Sequence, residues 1–151
     1  MIETQIEIAA PPSLVRGLLL DFAKYPDWHT SGLVQLLEPE DSSLTLATLQ
    51  SGDKIKCDID GMKFTAEIKE NSDRLLQWQG PPVMGLISGL HSFSFEVSES
   101  GGTLFKQSEL FSGPITFLMG PSLLGRKMLG QYRKFNEELK IHAEREFESS
   151  S

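Results

Sequence analysis

The last third of the chain restricts the fold most. Two stretches, LHSFSFEV at 90–97 and TLFKQSELF at 103–111, alternate with a period of two and lead into a helical pattern that reaches Phe147. In the first, His91, Phe93, Phe95 and Val97 share one face while Ser92, Ser94 and Glu96 share the other, the pattern of a half-buried strand. In the second, Thr103, Phe105, Gln107, Glu109 and Phe111 share a face. The helical pattern begins at Pro114, and Pro121 divides a short first piece from the main helix. Leu124, Met128, Tyr132, Phe135, Leu139 and Ala143 then recur every three or four residues. Such an apolar stripe buries itself only against another layer, and the strands supply that layer.

The turn between the two strands sets which residues meet. Ser100, Gly101 and Gly102 suit a three-residue hairpin loop with glycine in the left-handed conformation, which pairs Glu99 with Thr103. That register puts Phe93 opposite Glu109, Phe95 opposite Gln107, and His91 diagonal to Glu109, within reach of long side chains. If the odd-numbered face is the inner one, an apolar wall carrying His91, Gln107 and Glu109 results. The competing orientation turns Leu104 and Leu110 inward and leaves Glu109 solvated. The first is favoured because the second exposes Phe105 and Phe111 together.

Earlier in the chain, Ile2, Thr4, Ile6 and Ile8 alternate with polar residues, a first strand stopped by Pro11 and Pro12, which also permit a helix start. Leu14, Val15, Leu18, Leu19 and Phe22 follow at helical spacing. YPDWHT is then a turn or short helical piece, expected to expose Tyr25 and Trp28 near a mouth or corner. From Gly32 onward the period returns to two: LVQLLE is a strand, and LTLATLQSG is ambiguous between strand and loop. Ile55, Cys57 and Ile59, then Phe64, Ala66 and Ile68, form a hairpin about Asp60 and Gly61 with one dry face. RLLQWQG is a further strand with Leu76 and Trp78 on one face. The loop GPPVMGLISG is unusually apolar, so it either plugs a core or covers a pocket entrance.

At 151 residues the length implies one domain, read as 1–148 with 149–151 a disordered tail. The net charge of −7 opposes a phosphate backbone or an anionic surface at long range, so nucleic acid is disfavoured as a partner. The basic residues around Arg126, Lys127, Arg133 and Lys134 are interleaved with acidic ones and suit a solvated helix face. The N-terminus has no leader-like pattern and no apolar run is long enough to span a bilayer, so no integral membrane association is expected and a cytoplasmic location is. The lone Cys57 cannot form an intramolecular disulfide and fits a reducing compartment. Nothing in the sequence specifies an oligomeric state.

Strand, helix pair, a run of antiparallel strands and a long amphipathic C-terminal helix, in that order, resemble the START-like helix-grip (SRPBCC) superfamily, within it the polyketide cyclase/dehydrase and lipid-transport group. IEIAAPPSLVRGLLLDFAKYPDW, GLHSFSFEV with GGTLFKQSELFSG, and FNEELKIHAE carry the likeness, which spans nearly the whole chain. It implies an α+β fold in which about seven curved antiparallel strands wrap the terminal helix, with two short helices after the first strand. It also implies a cavity between sheet and helix for a hydrophobic small molecule such as a lipid or polyketide. The residue reading arrives at a compatible wall of Phe64, Trp78, His91, Phe93, Phe95, Phe105, Gln107, Glu109 and Phe111. The helix adds Met128, Tyr132, Phe135 and Leu139, and Trp28 is either wall or structural core.

A buried carboxylate is expensive, so an inward Glu109 must be neutral or paired with Gln107, His91 or water. The candidate catalytic residues are therefore His91 and Glu109, a pair suited to acid/base work in a cyclisation or dehydration. The plainer alternative is that the two satisfy each other and orient a ligand. Cys57 suits a small buried hydrophobe better than a nucleophile. His29 and His142 lack partners at metal-ligand spacing, and no phosphate-binding fingerprint occurs, so neither a metal nor a cofactor is expected. A protein-interaction role through the apolar loop at 83–87 is a third possibility.

Overall fold

The computed structural model describes residues 1–119 and 124–150. Seven strands form one antiparallel sheet: β1 (Ile2–Ile8), β2 (Val34–Pro39), β3 (Lys54–Ile59), β4 (Met62–Asn71), β5 (Leu75–Gln79), β6 (Ser88–Val97) and β7 (Thr103–Ser112). Their spatial order is β1-β7-β6-β5-β4-β3-β2, so the first strand crosses over to pair with the last. Two short helices follow β1: α1 (Pro12–Leu20), and a 3₁₀ helix over Phe22–Asp27. The long α2 (Leu124–Ser149) lies against the sheet and completes the helix-grip arrangement. A 3₁₀ turn at Thr116–Met119 precedes it, and the expected break at Pro121 lies outside the described residues. The helix ends at Ser149.

Alternation locates the core. Ile2, Ile8, Ile55, Cys57, Ala66, Ile68, Leu76, Trp78, Phe93, Phe95 and Phe105 are buried, and α2 meets them with Tyr132, Phe135, Leu139 and Ala143. The Asp60–Gly61 turn has the expected left-handed backbone, with φ of 52° and 86°, and joins Ile59 to Met62 as a two-residue hairpin. The ambiguous segment at 44–52 is neither strand nor open loop. It holds a 3₁₀ turn at Leu46–Thr48, and Asn71 Nδ2 donates to the carbonyls of Leu46 and Leu49 at 2.9 and 3.0 Å.

The β6–β7 register differs from the expectation by two residues. Val97 pairs with Thr103, Phe95 with Phe105, Phe93 with Gln107 and His91 with Glu109. The inward face is the expected one, because a shift of two preserves the pleat. The loop indeed has three residues, 99–101, closed by Ser98 N–H donating to Gly102 O at 3.0 Å, and Gly101 takes the left-handed position at φ 89°. Gly102 serves another purpose: a Cβ there would lie 2.3 Å from Ile8 O, so only glycine lets the end of β1 approach.

Tyr25 and Trp28 are buried rather than exposed, at 3% and 7% relative exposure. The Tyr25 hydroxyl donates to Leu19 O at 2.6 Å, and the Trp28 ring lies edge-on to Phe135 at 5.4 Å and stacks on His142 at 6.0 Å. They seal α1 and the 3₁₀ helix to α2, away from any mouth.

Beside them Glu138 of α2 clasps the next loop. Its carboxylate accepts bonds from the backbone and hydroxyls of Thr30 and Ser31 and from His29 Nδ1, all between 2.7 and 3.0 Å. His29 Nε2 in turn accepts Val34 N–H at 3.0 Å, so the ring is held from both sides. Burial penalises the Glu138 charge, but these donors, Ser31 and Thr30 foremost, hold the carboxyl below its ordinary value of 4.5. Glu138→Ala is expected to cost about 2 kcal/mol in urea unfolding at pH 7, since His29 then loses a buried acceptor. A carboxyl with a depressed native pKa stabilises fully above its unfolded value, and that contribution is lost as pH falls through the native one. The gap between Glu138→Ala and the parent should therefore narrow on acidification below about pH 4.5; a gap independent of pH would contradict the clasp.

Candidate functional site

Three strands and α2 build the site. On the inner faces of β5, β6 and β7 the register brings Trp78 next to His91 and His91 opposite Glu109. The His91 ring is boxed by Phe93, stacked at 4.6 Å, by Trp78 at 5.0 Å and by Tyr132 of α2 at 5.2 Å. A continuous hydrogen-bonded ladder runs behind it. Thr4 Oγ1 donates to Gln107 O at 3.1 Å, Asn136 Nδ2 donates to Thr4 Oγ1 at 2.8 Å, and Gln107 Nε2 donates to Asn136 Oδ1 at 2.9 Å. Gln107 therefore offers its Oε1 to His91 Nε2 at 2.9 Å, and that nitrogen must carry a proton. Every buried side-chain polar atom of the ladder is paired, as a low-dielectric interior demands.

The other ring nitrogen, Nδ1, lies 3.6 Å from Glu109 Oε1, an ion-pair distance longer than a hydrogen bond. Tyr132 donates its hydroxyl to the same oxygen at 2.8 Å. The ring is thus tied to Gln107 through Nε2 and turns Nδ1 toward the carboxylate. Burial disfavours the charge on Glu109, but the attraction of His91 and the Tyr132 bond outweigh that and hold the carboxyl below its ordinary value. Burial, and then Glu109 itself, push the Tyr132 hydroxyl well above its ordinary range, so it remains a donor. Cys57 is buried on the same side, and burial with the nearby Glu109 charge pushes its thiol up to about 12, which leaves it a small hydrophobe without nucleophilic character.

In front of this pair lies a cavity of about 550 Å³ between the sheet and the first turns of α2, within the range of small-molecule sites. Phe64, Trp78, His91, Glu109, Phe111, Met128 and Tyr132 line it as expected from alternation. Phe93, Phe95, Phe105, Gln107, Phe135 and Leu139 are buried but do not line it. They fill the other half of the interior, where α2 seats directly on β1, β6 and β7. Trp28 belongs to the aromatic seal described above. Leu33, Ile59, Met62, Val83 and Ile87 add apolar lining that was unforeseen. The apolar loop was the available signal: Val83 and Ile87 bridge to each other and stand at the entrance, while Met84 projects outward with a left-handed φ of 53°. Opposite it, Asp60 and Lys127 form a 3.8 Å ion pair between the β3–β4 turn and α2.

A family model, polyketide cyclase/dehydrase and lipid transport, matches residues 1–144. The chain belongs to that family. No curated protein sequence matches this family member. Among solved structures, a hypothetical protein of Helicobacter pylori superposes with a TM-score of 0.74 at 15% identity, over 93% of this chain and 86% of its own. The di-domain ARO/CYC protein StfQ of steffimycin biosynthesis gives 0.66 at 15% identity, over 98% of this polyketide cyclase/dehydrase-family chain and 46% of its own. Norcoclaurine synthase from Thalictrum flavum, solved with dopamine and hydroxybenzaldehyde, gives 0.62 at 12% identity over 93% of this chain and 83% of its own. At these identities the likeness is one of fold. Among the described residues no helix of this family member is long and apolar enough to cross a membrane, and no cluster of three or more His, Cys, Asp or Glu is placed to hold a metal.

Proposed function

We propose that the chain binds an apolar small molecule of the polyketide or lipid type in the cavity between β3–β7 and α2. The observation that carries this reading is the cavity itself: about 550 Å³, walled by hydrocarbon and aromatic side chains, with one ionisable pair at its floor. Apolar contact supplies affinity there at about 25 cal/mol per Å² buried, and the pair orients the bound molecule. The neighbours support it, since StfQ belongs to a biosynthetic pathway and norcoclaurine synthase was solved with two small aromatic molecules. The test uses the neutral fluorophore N-phenyl-1-naphthylamine. Its emission is expected to rise to a one-to-one plateau with the parent protein. Met128→Trp, which fills the cavity from α2, should abolish that rise while circular dichroism stays native. No saturable rise, or one unchanged in Met128→Trp, would refute the reading.

A second reading, a cyclase- or dehydratase-like enzyme, is favoured by one detail. Glu109 Oε1 takes both protein contacts, which leaves Oε2 available as a base toward the cavity. Hydrogen–deuterium exchange at the α carbon of 2-tetralone in D₂O should then run faster with protein than in buffer and fall to the buffer rate in Glu109→Gln. Equal rates in the two proteins would leave binding alone.

A further inference from the structure

We propose that the cavity selects a neutral apolar molecule bearing one hydroxyl group, phenolic or enolic, whose O–H is donated to Oε2 of Glu109. This deepens the small-molecule reading above and rests on it. Three features converge on that chemistry. First, the Glu109 carboxylate is used asymmetrically. Tyr132 at 2.8 Å and His91 at 3.6 Å both meet Oε1, and among the described residues no donor is bonded to Oε2. Oε2 lies over Gly89, where a Cβ would come within 2.6 Å of it, so the missing side chain is what admits the carboxylate to this position. An ionised oxygen without a partner beside apolar walls is a strong acceptor waiting for a donor.

Second, the floor leaves a ligand a single acceptor. His91 is tied to Gln107 through Nε2 and faces Glu109 Oε1 through Nδ1, so only Oε2 is open. A ligand ammonium would have to bury three donors among hydrocarbon walls for that one acceptor. A ligand carboxylate would set a second anion against Oε2 and bring no donor. A neutral O–H alone completes the bond without adding charge. Third, the remaining wall around this group is Ile59, Phe64, Trp78, Val83 and Met128, which offers contact to a carbon skeleton. The charged residues of the lining other than this pair, Asp60 and Lys63, are exposed at the mouth, and Asp60 is taken by Lys127.

The test is calorimetric titration of the intact chain at pH 7 with four probes that share one ring system: 2-naphthol, 2-methoxynaphthalene, 2-naphthoate and 2-naphthylmethylammonium. 2-Naphthol is expected to bind at least about tenfold more tightly than the methyl ether, the return for one hydrogen bond to a charged acceptor. The carboxylate and the ammonium should bind more weakly than the ether. In Glu109→Met the naphthol advantage over the ether should disappear while the ether still binds. In Gly89→Ala, which dislodges the carboxylate without removing it, the advantage should shrink. Equal affinities for naphthol and ether in the parent, or a preference for either ion, would overturn this inference and leave the cavity reading standing. Failure of all four probes to bind would instead remove the cavity reading.

Discussion

Phe135→Ala is expected to destabilise the domain by about 3–5 kcal/mol, the cost of deleting a buried aromatic ring and keeping the void. Phe135 has no solvent exposure and sits where the seal and the sheet meet. Its ring centroid lies 5.0 Å from His29, 5.4 Å from Trp28, and 6.3 Å from both Tyr25 and Phe93. These neighbours belong to a short 3₁₀ helix and its flank on one side and to β6 on the other, both pinned by bonds of their own, so they cannot close over the gap. Against a typical total of about 5–15 kcal/mol the loss is a large fraction of all stability. Equilibrium urea unfolding measures it, with Glu137→Ala as the comparison one turn-face away, where an exposed side chain should change stability by less than about 0.5 kcal/mol. A loss below about 1 kcal/mol for Phe135→Ala would mean that the α2–sheet seam relaxes, contrary to the packing described.

Asn136→Leu should cost about 2–3 kcal/mol although the side chains share heavy-atom count and branching, because the change is chiefly one of bonding. Asn136 is 2% exposed and ties α2 to two strands at once, accepting from Gln107 Nε2 and donating to Thr4 Oγ1. Leucine leaves the Gln107 amide hydrogens buried without an acceptor. It also releases the amide to rotate, so that Gln107 no longer presents its oxygen to His91. The consequence reaches the cavity floor through the ladder: the His91 Nε2 proton, fixed in the parent, should lose its sharp long-range ¹⁵N–¹H signature in the variant. A destabilised protein whose His91 signature is unchanged would show that Asn136 acts by packing alone and would sever the ladder from the site.

Much of this was legible in residue spacing. The inner faces of β6 and β7 follow from alternation, and so do the inward His91 and Glu109 and the dry face of β3 and β4. The α2 stripe from Met128 to Ala143 follows from helical spacing. The Asp60–Gly61 turn was readable because asparagine- or aspartate-glycine pairs suit two successive left-handed residues. Two kinds of feature were not. Tyr25 and Trp28 stand next to Pro26 and several polar residues, which reads as an exposed turn, and their burial depends on Phe135 and His142 more than a hundred residues away. The clasp between His29 and Glu138 is equally distant in sequence and leaves no local pattern.

The chain alone determined its element order, the hand of each amphipathic face and the family, because pleat and helical pitch are local and repeat every two or every three to four residues. Tertiary structure decided the rest. Gly101 and Gly102 are adjacent and identical, and only the approach of Ile8 from the far end of the sheet makes the second unavailable to the turn, which shifts the pairing and sets His91 opposite Glu109. Likewise, the candidate wall divides into a solid half and an open half according to where α2 touches the curved sheet. That contact line depends on the tilt of a helix and the curl of seven strands together, and no periodicity along one chain records it.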